Sequence, residues 1–202
     1  MLSPVGSAPA AAVQETGAGA DNRGMDAIVL QALAKWPHVP SCFGWLGLDA
    51  RGNWYLRDAL TQAAGSFGTP GAKGSLLVHE GLIAFIGRNY ACDDAGRWFF
   101  QNGPQRVYVE LEATPWIWRL ADDGSVTSHT GCAARARHCF VDELGRVYLE
   151  TDVGFGLVHS QDVSSAAGAI EAGLWEPQEE LAHRMPARFG FVVSPQQAGL
   201  PS

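Results

Sequence analysis

The chain has little positive charge and almost no lysine. Of its 202 residues 14 are basic, with only Lys35 and Lys73 being lysine, against 21 acidic residues, for a net charge of −7. A protein that binds a phosphate backbone needs a basic face that releases counterions, so no nucleic-acid partner is expected. Long apolar runs are missing too. No stretch reaches the roughly 18 apolar residues that cross a bilayer, so no membrane partner is expected either. Residues 1–24 are rich in Ala, Gly and Pro and lack a basic start followed by a hydrophobic core, so they are not expected to act as a secretory signal. A cytoplasmic location is then expected by default, and the four cysteines (Cys42, Cys92, Cys132 and Cys139) in a chain without an export signal read as reduced thiols.

Several signatures of chemistry are absent as well. No Gly-x-Ser-x-Gly elbow offers an α/β-hydrolase nucleophile. His79-Glu80 is not followed by the second histidine of a metalloprotease helix; Ile83 stands at that position. Gly68-Thr-Pro-Gly71-Ala-Lys73-Gly74-Ser75 looks like a phosphate loop, but Gly74 separates the lysine from the serine and no buried strand precedes it. A helix starting at Ser75 would still offer free N–H groups to an anion beside Lys73. A surface loop is the simpler account.

What the chain does have is one phrase three times: Asp, two variable residues, Gly, a polar residue, then a β-forming pair. It reads Asp49-Ala-Arg-Gly52-Asn-Trp54-Tyr55, Asp93-Asp-Ala-Gly96-Arg-Trp98-Phe99 and Asp142-Glu-Leu-Gly145-Arg-Val147-Tyr148. The Asp accepts backbone N–H bonds at the head of a type I turn, the Gly takes the left-handed conformation, and a strand returns. The phrase therefore predicts three hairpins and supplies framework, not a site.

Around these turns the periodicity predicts a helix over Asp26–Trp36, stopped by Pro37. A strand is expected over Ser41–Leu48, with a return over Asn53–Arg57. Ser75–Asn89 carries apolar residues at helical spacing with Ser75 as cap. Strands follow at Arg97–Gln101 and, after Asn102-Gly103-Pro104, at Arg106–Glu112. In the latter Val107, Val109 and Leu111 alternate with Tyr108, Glu110 and Glu112, as in an antiparallel strand with one face in water. Pro115–Leu120 places Trp116, Trp118 and Leu120 on one face before a turn at Asp122-Asp123-Gly124. His138–Val141, Arg146–Thr151 and a Gly-broken segment at 153–159 continue the pattern. Asp162 is expected to cap a helix over Val163–Ala172, and Arg188–Val193 reads as the last strand.

The expected fold is α+β: a hairpin-rich, curved antiparallel sheet with few helices, built as two unequal copies of one strand–helix–strand module. The phrases at Asp49 and Asp142 open the copies, over about 41–128 and 134–193, and the Asp93 hairpin lies inside the first. Residues 1–24 are expected to be a disordered extension, with Met25 the natural start. Residues 25–195 form a single domain, and 196–202 a flexible tail. A propeller is excluded, since the helical segments leave no room for four strands per blade.

Gly44-Trp45-Leu-Gly-Leu-Asp49-Ala-Arg-Gly52-Asn-Trp54-Tyr55-Leu-Arg57-Asp58, together with Trp98-Phe-Phe-Gln101-Asn102-Gly103-Pro104-Gln105-Arg106-Val-Tyr108-Val-Glu110, resembles an uncharacterised proteobacterial family of unknown function. The order of elements is also similar to a bacterial family made of two copies of a small module, for which a role in signal transduction has been suggested. The resemblance implies a duplicated α+β architecture and a regulatory or binding role. It brings no catalytic residue.

Two candidate sites remain. His129, Cys132, His138 and Cys139 are the right residue types for zinc, yet neighbours on a strand face opposite ways, so at most three converge. Arg88, Asn89, Gln101, Gln105 and Arg106 gather around the Asp93 hairpin and the Asn102 turn, and arginine suits carboxylate or phosphate. The favoured reading is a non-enzymatic binding or regulatory module for a protein or small ligand at those five residues, with no cofactor and no metal. The alternative is a small metal- or thiol-dependent hydrolase using the His129/Cys132/His138 region. A homodimer through the Val107–Leu111 edge is compatible with both.

Overall fold

The computed structural model describes residues 25–198; the expected N-terminal extension and the last four residues lie outside it. The chain opens with α1 (Ala27–Lys35), followed by β1 (Cys42–Leu48) and β2 (Trp54–Leu56). Next come α2 (Ala59–Ala63), β3 (Ser75–Leu76), α3 (Glu80–Arg88), β4 (Tyr90–Cys92), β5 (Trp98–Asn102) and β6 (Gln105–Leu111). The second half contains β7 (Trp116–Leu120), β8 (Val126–Ser128), β9 (Ala133–Ala134), β10 (Ala136–Val141), β11 (Val147–Thr151) and β12 (Phe155–Val158). It ends with α4 (Val163–Glu171), β13 (Pro177–Glu179), α5 (Met185–Phe189) and α6 (Pro195–Ala198).

All three predicted hairpins form. In each, the Asp Oδ1 accepts two backbone N–H bonds, from Arg51 and Asn53, from Ala95 and Arg97, and from Leu144 and Arg146. Gly52, Gly96 and Gly145 take positive φ of 81°, 77° and 72°.

The fold is α+β with few helices, but its strands make two mixed sheets instead of one antiparallel sheet. The first has the order β3-β2-β1-β6-β5-β4 and the second β13-β10-β11-β12-β7-β8-β9. β1 runs parallel to β6, β7 to β12 and β10 to β13; the other pairs are antiparallel. Read from β9, the second sheet repeats the strand order and central parallel pair of the first, with β13 added. The boundary falls between Leu111 and Trp116, so Trp116–Ser128 lies in the second sheet, whereas the sequence pattern assigns it to the first copy. In this arrangement the Asp93 hairpin (β4–β5) corresponds to the Asp142 hairpin (β10–β11), and the Asp49 hairpin to the turn at Asp122. The helix between strands has no counterpart, since nothing helical separates β9 from β10. Hairpin chemistry is local, whereas the parallel partner of a strand depends on the path of the chain between the two.

Leu46, Leu48, Trp54, Phe100, Val109 and Leu111 of the first sheet share a core with Ile117, Phe140, Tyr148, Phe155 and Leu157 of the second. The opposite face of the second sheet packs Trp116, Trp118 and Leu149 with Ala166 of α4. The opposite face of the first is not in water. Tyr108 and Glu110 are buried, and β6 is a central strand, so the expected open edge at Val107–Leu111 does not exist.

Four further expectations are corrected. Ser75 is in β3, and α3 starts after His79, whose Nδ1 accepts the Leu82 N–H. α4 forms where expected, but Asp162 makes no capping bond and instead pairs twice with Arg119. The expected strand at 188–193 is helix α5 and its exit, with Pro186 in its first turn and Gly190 left-handed after it. Residues 196–198 of the expected tail belong to α6. Among the described residues no helix is long and apolar enough to cross a membrane, and the four cysteines are free.

Candidate functional site

The five residues favoured from sequence are used inside the fold. Arg88 grips the Asp26 carboxylate through Nε and Nη2 at 3.1 and 3.3 Å. Asn89, fully buried, accepts the Asp26 N–H and donates to the Asp26 carboxylate and to the Phe85 carbonyl. Together they fasten the start of α1 to the end of α3. Gln101 donates to the Gly103 carbonyl while its buried Oε1 lacks a partner, and Gln105 donates to the Pro40 carbonyl. The Arg106 guanidinium lies 4.6 Å from the centre of the Phe99 ring. None of the five lines the large cavity described below.

The histidines and cysteine of the second candidate do not converge. His129 is enclosed by Trp54, Tyr90 and Trp116, with ring centroids at 5.5–5.9 Å. Its Nδ1 accepts the Ile117 N–H at 3.4 Å, its Nε2 is buried without a partner, and burial pushes its pKa down to about 3. Cys132 is exposed, and His138 faces solvent 3.0 Å from Glu150 Oε2. Cys139, on the opposite strand face, is buried in the second core. Among the described residues no group of three or more His, Cys, Asp or Glu is placed to hold a metal ion.

Glu110 of β6 and Glu112 just after it are both engaged within the fold. Glu110 is 1% exposed, and its carboxylate accepts the Ser194 hydroxyl at 2.5 Å and the Gln196 N–H at 3.0 Å. Burial raises its pKa, an effect those two bonds oppose. Glu112 takes Lys73 at 2.7 Å and the Ala50 N–H, so the lysine of the phosphate-like loop already has its anion.

A sizeable cavity lies elsewhere. It encloses about 570 Å³ between the core face of the first sheet and helices α2 and α3. Leu46, Phe100 and Val107 form its sheet side, and Leu82 and Ile86 come from α3. Trp45 and Leu56, each about half exposed, stand at its mouth. Trp45 lies within a register shift between β1 and β6 that spans Cys42 to Leu46 and in which Gly44 has φ 78°. Asp58, Thr61, Ser75 and Asn102 supply its polar groups. Asp58 caps α2, its Oδ1 accepting the Thr61 N–H at 2.8 Å and the Thr61 hydroxyl at 2.7 Å; these bonds lower its pKa. Arg57 adjoins the cavity but is 1% exposed, its Nε, Nη1 and Nη2 donating to the carbonyls of Ala72, Gly44 and Gly65. Sequence reasoning missed this site because its walls come from strands that look like ordinary core strands. The one available signal was Leu56 and Asp58, an apolar and an acidic residue flanking an arginine just after a hairpin.

The family model described as "Protein of unknown function (DUF2946)" matches residues 25–196. The chain belongs to this family. The match takes in both sheets and every residue that lines the cavity. No curated protein matches the chain. A solved structure similar to it is the crystal structure of a DUF1285 family protein from Silicibacter pomeroyi DSS-3. That protein is 12% identical, with 72% of this chain and 79% of that chain covered and a TM-score of 0.44.

Proposed function

We propose that the protein is a non-enzymatic binding module that takes a small ligand with an apolar body into the cavity between the first sheet and α3. The observation that carries this reading is a cavity of about 570 Å³ walled by Leu46, Ile86, Phe100 and Val107, with a few polar groups at one side. Ligand sites typically fall between about 300 and 1,000 Å³ and combine apolar walls with a small number of orienting polar groups. The cavity's titratable residues are Asp58 and Arg57, and each guanidinium nitrogen of Arg57 donates to a backbone carbonyl. That pairing favours binding over acid–base work. The repeated strand order supports descent from two copies of one six-stranded unit, and this cavity lies in the copy that carries α3. The four free cysteines fit a reducing compartment such as the cytoplasm.

The test is a calorimetric titration with decanol, a neutral apolar probe. Saturable binding at one site is the expected result. Val107→Trp, which fills the cavity from β6, is expected to weaken it at least about tenfold with the circular dichroism spectrum retained. Absence of heat up to the solubility limit of decanol would reject the proposal.

A further inference from the structure

The cavity has two charged neighbours, and only one is available to a ligand. The Arg57 guanidinium is tied to three carbonyls, is 1% exposed, and has the Glu110 carboxylate close enough to raise its pKa against the burial that lowers it. Its charge is thus tied to those carbonyls and partly offset by Glu110. Asp58 is exposed, and its bonds from Thr61 keep the carboxyl ionised at neutral pH. Trp45 stands half exposed at the same mouth, and an indole face attracts a cation. The net charge of −7 acts in the same direction at longer range.

From these observations we infer that the ligand is an apolar organic cation, an alkyl or aryl amine. Its ammonium sits at Asp58 and Trp45, and its hydrocarbon lies against Phe100, Val107 and Ile86. A carboxylate of the same shape would meet the charge of Asp58, with Arg57 held by its three carbonyls and the Thr61 hydroxyl already given to Asp58, leaving the neutral donors Ser75, Asn102 and the Trp45 indole. This inference rests on the cavity being the binding site, and the experiment separates the two claims.

Decylamine, decanol and decanoate share one chain length and differ in charge at pH 7. Each is titrated calorimetrically into the full chain below its micelle concentration. Decylamine is expected to bind about tenfold more tightly than decanol, and decanoate more weakly than either. Asp58→Asn keeps a good N-cap for α2, and in that variant the affinities for decylamine and decanol are expected to converge to within about twofold. Decanol binding without any gain for the amine, or a preference that survives Asp58→Asn, overturns the charge inference and leaves the cavity reading standing. If none of the three binds, both fall.

Discussion

Asp93 and Asp142 hold their turns with the same set of contacts. Each Oδ1 accepts two backbone N–H groups, and each Oδ2 takes an arginine Nε, from Arg97 or Arg146, and a tyrosine hydroxyl, from Tyr108 or Tyr148. The Asp142 side chain is wholly buried, so Asp142→Ala leaves the buried Tyr148 hydroxyl and Arg146 without their anion. A loss of about 2–4 kcal/mol is expected in urea unfolding; a loss under about 1 kcal/mol would show that the network contributes little. Burial alone would raise the Asp142 pKa, but the bonds from Arg146 and Tyr148 prevail and lower it. Its contribution is therefore complete above about pH 4 and lost as the pH falls through the lower folded value. His129 acts in a different window. Its folded pKa is about 3, below the ordinary value, so the folded state resists protonation and stability declines from about pH 6.5 downward. Between neutral pH and pH 5 this one ring is expected to cost about 2 kcal/mol. His159, lowered by burial and Arg119, adds to the decline, while Glu110, raised by burial, opposes it. Comparison of urea midpoints for the parent and His129→Gln at pH 7 and 5 isolates the His129 share; parallel pH profiles would contradict it. The Asp phrase was legible because its bonding partners lie within four residues. The environment of His129 was not, because Trp54, Tyr90 and Trp116 reach it from three separate strands.

At the scale of elements, equal turns do not carry equal costs. A Cβ on Gly96 would stand 2.4 Å from the Gly190 carbonyl oxygen and 3.3 Å from Phe191 Cα, whereas one on Gly145 meets nothing within 4 Å. Both glycines are left-handed, so alanine at either costs about 1–2 kcal/mol. Gly96→Ala additionally pushes on the segment after α5, where the Val192 N–H donates to the Gly96 carbonyl and the Leu111 N–H to Val193. It is expected to be the more destabilising of the two in urea, and to speed hydrogen exchange at Leu111 and Val192; equal stability losses would refute the contact. The same segment shows where sequence reading goes astray. Arg188–Val193 looks like a strand by its aromatic and β-branched residues, yet Pro186 and Gly190 carry the start and stop signals of a short helix. Glu110 misled in the opposite sense. Its alternation with Val109 and Leu111 is real, but the solvent expected on its face is displaced by Ser194 and Gln196, more than eighty residues later.

The whole molecule is joined by its core. Phe155 of the second sheet stacks on Phe189 at 3.7 Å between ring centroids and shares its cluster with Leu46, Trp54 and Phe100 of the first. Neither sheet keeps a closed apolar face without the other. Unfolding is therefore expected as a single transition, with tryptophan emission and far-ultraviolet circular dichroism coinciding, and residues 25–113 alone are expected to stay unfolded. Two resolved transitions, or a folded fragment, would show that each sheet is stable by itself. The central pairs also set a timetable for synthesis. β1 gains its inner neighbour only when β6 appears, and β7 only when β12 does. At about 5–20 residues per second, the roughly 60 residues from β1 to β6 take about 3–12 seconds, during which one apolar edge of β1 has no neighbour. The interval is shorter for β7, so the first sheet, which also holds the cavity, is the half more exposed to a wrong partner at the ribosome.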